Sequence, residues 1–137
     1  MSLLSAPTAV STIDRIIDQF PSDRQAQIRT MLSESLKGVI AQTLCKKLGG
    51  GRIAALEVLV GIPSVANLIR EGKTFQIPSI MQTNRKAGMV TLNDALLELV
   101  ESKLVEPREA YLKSAEKTAF AASLKAKRYD TSFLGDT

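Results

Sequence analysis

Two carboxylates, Asp14 and Asp18, lie four residues apart, a spacing that puts them on one face of a helix. Paired carboxylates can act as general acid and general base when their environments separate their pKa values. These two flank Arg15 on a polar face opposite isoleucines, so a solvated helix surface is the favoured interpretation. The sequence has no His, one Cys and no dense carboxylate cluster. It lacks the usual ligands of a metal site and any histidine for acid–base catalysis. It therefore predicts no catalytic residue and no metal site.

Three consecutive glycines, Gly49–Gly51, raise the possibility of a phosphate-binding loop, because successive backbone N–H groups can point at an anion. A nucleotide-binding loop needs Gly, four residues, Gly, then Lys and Ser or Thr, so that the Lys neutralises phosphate oxygens and the hydroxyl holds magnesium. Arg52 and a strand-like segment follow the glycines instead. The spacing predicts a hairpin turn, for which glycine supplies positive φ angles, and no cofactor site.

Apolar periodicity places these residues in an α+β chain that is mostly helical, with about six helices and one two-stranded antiparallel hairpin. Ser11 is the expected cap of a first helix through residues 13–20. A second helix is expected to begin at a capping box formed by Ser22 and Gln25 and to end near Gly38. The strands are then expected at 40–48 and 52–60.

The later helices are indicated by Pro at their first turns and by apolar stripes. They are expected from Pro63 to Gly72, from Pro78 to near Gly88, from Thr91 to Val100, and from Pro107 in one segment continuing past Phe120 and Leu124. The polar end of the chain, Tyr129–Thr137, is expected to be loose.

Composition limits the class of protein. A chain of 137 residues has the size of one domain, and the single Cys45 has no partner for an intramolecular disulfide, which favours a reducing compartment. No apolar run approaches the roughly 20 residues of a membrane span, so a cytosolic location is expected. The formal charge is +4 at pH 7, with a basic cluster at Lys46, Lys47 and Arg52. Single-strand nucleic-acid binders usually interleave aromatics with such charges, so a solvated or subunit-facing surface is favoured over a nucleic-acid groove.

The most specific pattern is PSVANLIREGKTFQIPSIMQT, residues 63–83. Its NLIREGK and QIPS stretches resemble the AIRNLIRE segment and its continuation in the type IV pilus retraction ATPases, the PilT-type twitching-motility family. The match covers roughly residues 6–115. It includes 12–18, 20–21, 25–27, 32–36, 91–92 and 95–100.

The resemblance implies a segment that couples ATP-driven motion of a ring to pilus retraction. That motor-coupling segment comprises Ser64, Val65, Ala66, Asn67, Leu68, Ile69, Arg70 and Glu71. Helical spacing puts Asn67, Arg70 and Glu71 on a face different from the apolar stripe of Val65, Leu68 and Ile69. The family pattern has Ala-Ile-Arg where this chain has Ser64-Val65-Ala66, so any contact of that first guanidinium is absent.

The same resemblance implies the C-terminal part of a RecA-like secretion ATPase of the P-loop NTPase superfamily, followed by a helical bundle. Residues 6–62 would end the ATPase core, 63–128 would form the C-terminal helical domain, 129–137 a flexible tail, and 1–5 an expression remnant or linker. The family's Walker A loop, acidic box, Walker B segment and histidine box precede this stretch and are missing from the sequence. ATP and Mg²⁺ would therefore belong to the longer protein, and this chain alone is expected to be inactive.

The implied partners are neighbouring subunits of a homo-hexameric ring and the pilus machinery at the inner-membrane platform, with no nucleic acid. Because a two-stranded hairpin exposes hydrogen-bonding edges, the isolated chain is expected to form a dimer or higher oligomer. Two alternatives stay open. One is a fragment of a pilus-assembly or type II secretion ATPase, and the other is a basic nucleic-acid-binding domain that uses the hairpin.

Overall fold

Helices dominate the computed structural model, which describes residues 8–135. These residues form seven α-helices and one antiparallel two-stranded sheet, which confirms the predicted α+β class. The helices are α1 (Ala9–Asp18), α2 (Gln25–Ser35), α3 (Pro63–Arg70), α4 (Ile77–Thr83), α5 (Leu92–Glu101), α6 (Pro107–Lys113) and α7 (Lys117–Ala126). The strands are β1 (Gly38–Lys46) and β2 (Arg52–Val60). The predicted remnant at 1–5 and the last two residues of the predicted tail lie outside the described residues.

The described residues divide into two compact units, each assembled from separate stretches of the chain. The α1–α4 unit holds residues 8–41 and 57–91, and the α5–α7 unit holds 42–56 and 92–135. Each unit has its own core of buried aliphatic side chains. The core of the α1–α4 unit contains Ile13, Ile17, Leu59, Val65, Ile69, Ile77, Met81 and Met89. The core of the α5–α7 unit contains Cys45, Ala55, Leu92, Leu96, Val100, Val105, Phe120 and Leu124. The predicted division into 6–62 and 63–128 stays a prediction.

The hairpin turns where the glycine run predicted it. Gly49, Gly50 and Gly51 have φ values of 88°, 111° and 79°, the left-handed region that side chains with a Cβ rarely adopt. The Lys47 N–H donates to the Gly51 carbonyl at 2.9 Å and closes the turn. Beyond the turn, β2 also meets the chain near α5, since Val58 and Val90 exchange backbone hydrogen bonds of 2.8 and 2.9 Å.

Two predicted helix starts are wrong. Helix α1 is capped by Thr8, whose hydroxyl accepts from the Ser11 N–H, while the Ser11 hydroxyl accepts from the Thr8 N–H. Ser11 thus completes a capping box one turn after the true cap. The box predicted at Ser22 and Gln25 does not form, because the Gln25 amide donates to the Phe20 carbonyl instead. The second helix also ends earlier than predicted, since Leu36 is already extended at ψ 119°.

The segment predicted as one helix from Pro107 past Leu124 is two helices, α6 and α7. Ser114 breaks it with an extended ψ of 150°. The Lys117 ammonium donates to the carbonyls of Tyr111, Leu112 and Ser114, so a positive charge satisfies the free end of α6. These hydrogen bonds stabilise the end of α6 at Lys113 over a continuous helix.

Part of the tail predicted to be loose is packed. Tyr129 and Phe133 lie against the core of the α5–α7 unit, and the Phe133 ring meets the Tyr111 ring with centroids 5.7 Å apart. Aromatic burial offsets the cost of ordering this short polar stretch.

Candidate functional site

Helix α3 carries the predicted motor-coupling segment, and its two faces differ as the spacing predicted. Pro63 occupies the first turn, where its missing N–H leaves no hydrogen bond unmade. Val65 and Ile69 are fully buried in the core of the α1–α4 unit, and Leu68 is partly buried against it. This apolar stripe packs one side of the helix into the core.

The opposite face of α3 is exposed and polar. Ser64, Asn67, Arg70 and Glu71 are exposed, and Ala66 is half-buried. The Arg70 guanidinium donates from Nη1 to Asn67 Oδ1 at 2.8 Å, which fixes the arginine along the helix. Glu71 lies 3.6 Å from the Lys73 ammonium in solvent. The face therefore presents an oriented guanidinium with neighbouring polar groups.

A tight turn ends α3 immediately after this face. Gly72 has φ 74°, and the Lys73 N–H donates back to the Leu68 carbonyl at 2.8 Å. A Cβ on Gly72 would contact the Arg29 guanidinium, whose Nε is buried without a hydrogen-bond partner among the described residues. The turn thus has a guanidinium of α2 directly beside it.

Helix α1 makes two long-range hydrogen bonds, one to β2 and one to the segment that follows α3. The carboxylate of Glu57 on β2, only 6% exposed, accepts from the Ala9 N–H at 2.6 Å. Asp14 accepts from the Thr74 hydroxyl at 2.8 Å, just after the turn that follows α3. Sequence reasoning missed Glu57. Strand alternation was the available signal, because it places Glu57 on the buried face with Leu59.

The other chemical candidates are the Asp14 and Asp18 pair and the Cys45 thiol. Asp14 is half-buried and bonded to Thr74, whereas Asp18 is exposed, so the pair does not share one environment. Burial raises the pKa of the Cys45 thiol, the Glu109 charge adds to that effect, and Lys113 partly counters it. A protonated buried thiol is a poor nucleophile. Within residues 8–135, no group of His, Cys, Asp and Glu is placed to hold a metal ion, and no helix has the length and apolarity needed to cross a membrane.

Known proteins are similar to this chain in sequence. The type IV pilus retraction ATPase PilT of Pseudomonas aeruginosa is 49% identical over 107 residues, which are 78% of this chain and 31% of that protein. The twitching motility protein of Neisseria gonorrhoeae is 47% identical over 103 residues, 74% of this chain and 28% of that protein. The chain is a PilT-family sequence. It spans under a third of the length of these curated relatives. No protein-family model matches it.

Solved structures agree with the family. The crystal structure of the pilus retraction motor PilT with bound ADP superposes with a TM-score of 0.71 at 39% identity, covering 81% of this chain and 31% of that one. The ATPase DotB of Legionella pneumophila shares the fold, with a TM-score of 0.60 at 18% identity over 75% of this chain and 28% of that one. The fold is therefore present in ATPases beyond PilT.

Proposed function

We propose that this chain is part of a type IV pilus retraction ATPase, in which helix α3 couples ATP-driven motion of the ring to pilus retraction and twitching motility. The observation that carries the proposal is the 49% identity over 107 residues to a pilus retraction ATPase. Only 30 of the 137 residues fall outside that match, so a continuous match must include residues 31–107 and with them α3. An assembly or secretion ATPase is less supported, because the relatives at 47–49% identity are named for pilus retraction and twitching motility.

The geometry of α3 supports a coupling role. A coupling element needs one side fixed to its domain and another side available to a moving partner. Val65 and Ile69 fix the buried side, and the bond between Arg70 and Asn67 orients a cation on the exposed side. An arginine held in this way forms directed contacts with carboxylates or carbonyls at lower entropic cost than a freely rotating side chain.

A double variant in the full-length protein tests the coupling role. Replacing Arg70 and Glu71 with Ala removes one cation and one anion from the exposed face, so the net charge is unchanged. We expect twitching to be lost while the ring still assembles by light scattering. The matched control is Arg15→Ala with Asp18→Ala, an exposed charge-neutral pair on α1. Unchanged twitching and ATPase activity in the Arg70 and Glu71 variant would overturn the proposal.

The nucleotide chemistry is assigned to the longer protein. ATP and Mg²⁺ would bind through the phosphate loop that this sequence does not contain, and the chain alone would neither bind nor hydrolyse ATP. Isothermal titration of the chain with ATP and magnesium tests this. Saturable binding below millimolar concentration would refute it, whereas a flat titration is the expected result.

The partners follow from the same proposal. In the longer protein, the chain would contact neighbouring subunits of a homo-hexameric ring and the pilus machinery on the cytoplasmic side of the inner membrane. The exposed strand edges of the hairpin would support a dimer or higher oligomer of the isolated chain. Light scattering that gives a monomer across micromolar concentrations would contradict that oligomer.

A further inference from the structure

The tip of the hairpin and the start of α6 line an open groove in the α5–α7 unit. Its volume of about 510 Å³ is within the range of ligand pockets. It does not include residues of α3, and two of its basic residues, Lys46 and Lys47, belong to the cluster noted in the sequence. Its lining includes Lys46, Lys47, Leu48, Arg108, Glu109 and Leu112. We call it the hairpin-tip groove.

Backbone hydrogen bonds hold both walls of the hairpin-tip groove. The Lys46 N–H donates to Glu109 Oε2 at 2.7 Å, which ties β1 to α6. The Leu48 N–H donates to the Leu104 carbonyl at 2.8 Å, which ties the turn to the loop after α5. The glycine turn is itself closed at Gly51. The groove is therefore formed before any ligand arrives, and a ligand does not bear the entropic cost of ordering it.

Two leucines give the groove an apolar part that is exposed to solvent. Leu48 is 43% exposed and Leu112 is 55% exposed, although both are large hydrophobic side chains. They come from different elements and line the same groove. An aliphatic side chain from a partner would remove apolar surface of both from water at once.

The charged residues of the lining carry a small excess of positive charge. Lys46, Lys47 and Arg108 are exposed cations of the lining, and Arg52 follows the turn without an acidic residue between. The lining also contains two carboxylates, Glu106 and Glu109, so its three cations leave a net formal charge of +1, and Glu109 Oε2 already accepts from the Lys46 N–H. The remaining charge excess favours carboxylates on a ligand over further cations.

We propose that the hairpin-tip groove docks an acidic peptide segment of a partner protein that carries a leucine-type side chain. The aliphatic side chain lies between Leu48 and Leu112, and flanking carboxylates face Lys47 and Arg108. Nucleic acid is the weaker match, because its bases stack on aromatic side chains and the lining has none. Aliphatic leucines do not replace that stacking.

Fluorescence anisotropy on the full chain tests the proposal with an arrayed set of labelled 12-residue peptides of Glu, Asp, Ser and Leu. We expect saturable binding for acidic peptides with leucine. Binding should weaken at least tenfold when the leucines become Ser or the acids become Lys.

Variants locate the site. Arg108→Glu and Leu112→Ser change exposed side chains, so the fold should persist by circular dichroism, and each should weaken binding at least tenfold. Lys86→Glu, an equal charge reversal at an exposed position of the α1–α4 unit, should stay within twofold of the unchanged chain. Three results would overturn the proposal: no acidic peptide binds, the groove variants bind normally, or a single-stranded oligonucleotide binds more tightly than any peptide. A dimer abolished by Leu112→Ser would assign the groove to a second copy instead.

Discussion

The hydrogen bond from the Ala9 N–H to the Glu57 carboxylate yields a sharp stability prediction. Ala9 is 0% exposed and lies in the first turn of α1, so removal of the carboxylate leaves its buried N–H without that hydrogen-bond acceptor. The perturbation is Glu57→Ala, with Glu57→Gln as the variant that keeps an acceptor oxygen.

The magnitude follows from two contributions. An unsatisfied buried N–H costs about 1–3 kcal/mol. A carboxylate at a partly buried helix N-terminus contributes about 0.5–2 kcal/mol to stability. Its removal also removes the desolvation cost of a buried charge, which offsets part of that loss. We therefore expect Glu57→Ala to lower the free energy of unfolding by roughly 2–4 kcal/mol. Glu57→Gln should lower it by about 1 kcal/mol, because the neutral amide oxygen still accepts from the N–H.

Urea unfolding followed by far-ultraviolet circular dichroism measures these changes. Circular dichroism is the suitable signal because the chain has no Trp whose fluorescence could report unfolding. The control is Glu34→Ala, which removes the same charge from an exposed position of α2 and should stay within about 0.5 kcal/mol. If Glu57→Ala cost no more than Glu34→Ala, the hydrogen bond would not stabilise the unit. If Glu57→Gln cost as much as Glu57→Ala, charge rather than the acceptor would be responsible.

Three further predictions concern packing and protonation. Gly61→Ala would drive a Cβ into the Leu36 carbonyl oxygen, so urea unfolding should show a loss of about 1–3 kcal/mol. Ile69→Ala leaves a cavity in the core and should cost about 2–5 kcal/mol in the same assay, against about 0.5 kcal/mol or less for the exposed Met31→Ala. The pKa of the Cys45 thiol is raised in the folded chain, so the folded chain holds the thiol proton more tightly than the unfolded chain does. The free energy of unfolding should therefore fall as the pH rises above 9.0, the ordinary pKa of the thiol. That fall should be shallower in Cys45→Ala, and identical pH profiles would contradict it.

Local chemistry explains which elements were predictable. The glycine turn, and α3 between Pro63 and Gly72, depend on backbone preferences within a few residues, and both formed as predicted. The division of α3 into buried and exposed faces follows from helical spacing alone. Among the wrong predictions, the start of α1 was decided by the Thr8 cap, and the unpredicted break at Ser114 is accompanied by a cap from the Lys117 side chain. Capping residues of similar propensity compete over one turn, and periodicity does not separate them.

By itself the sequence determined the family, the mostly helical class and the segment expected to couple motion, because motif and periodicity are properties of neighbouring residues. Only the tertiary structure revealed the acceptor for the first turn of α1, since Glu57 and Ala9 are 48 positions apart. It likewise brought Leu48 and Leu112 into the lining of one groove. Contacts of this kind depend on how distant segments pack within a unit, and a linear pattern carries no record of that packing.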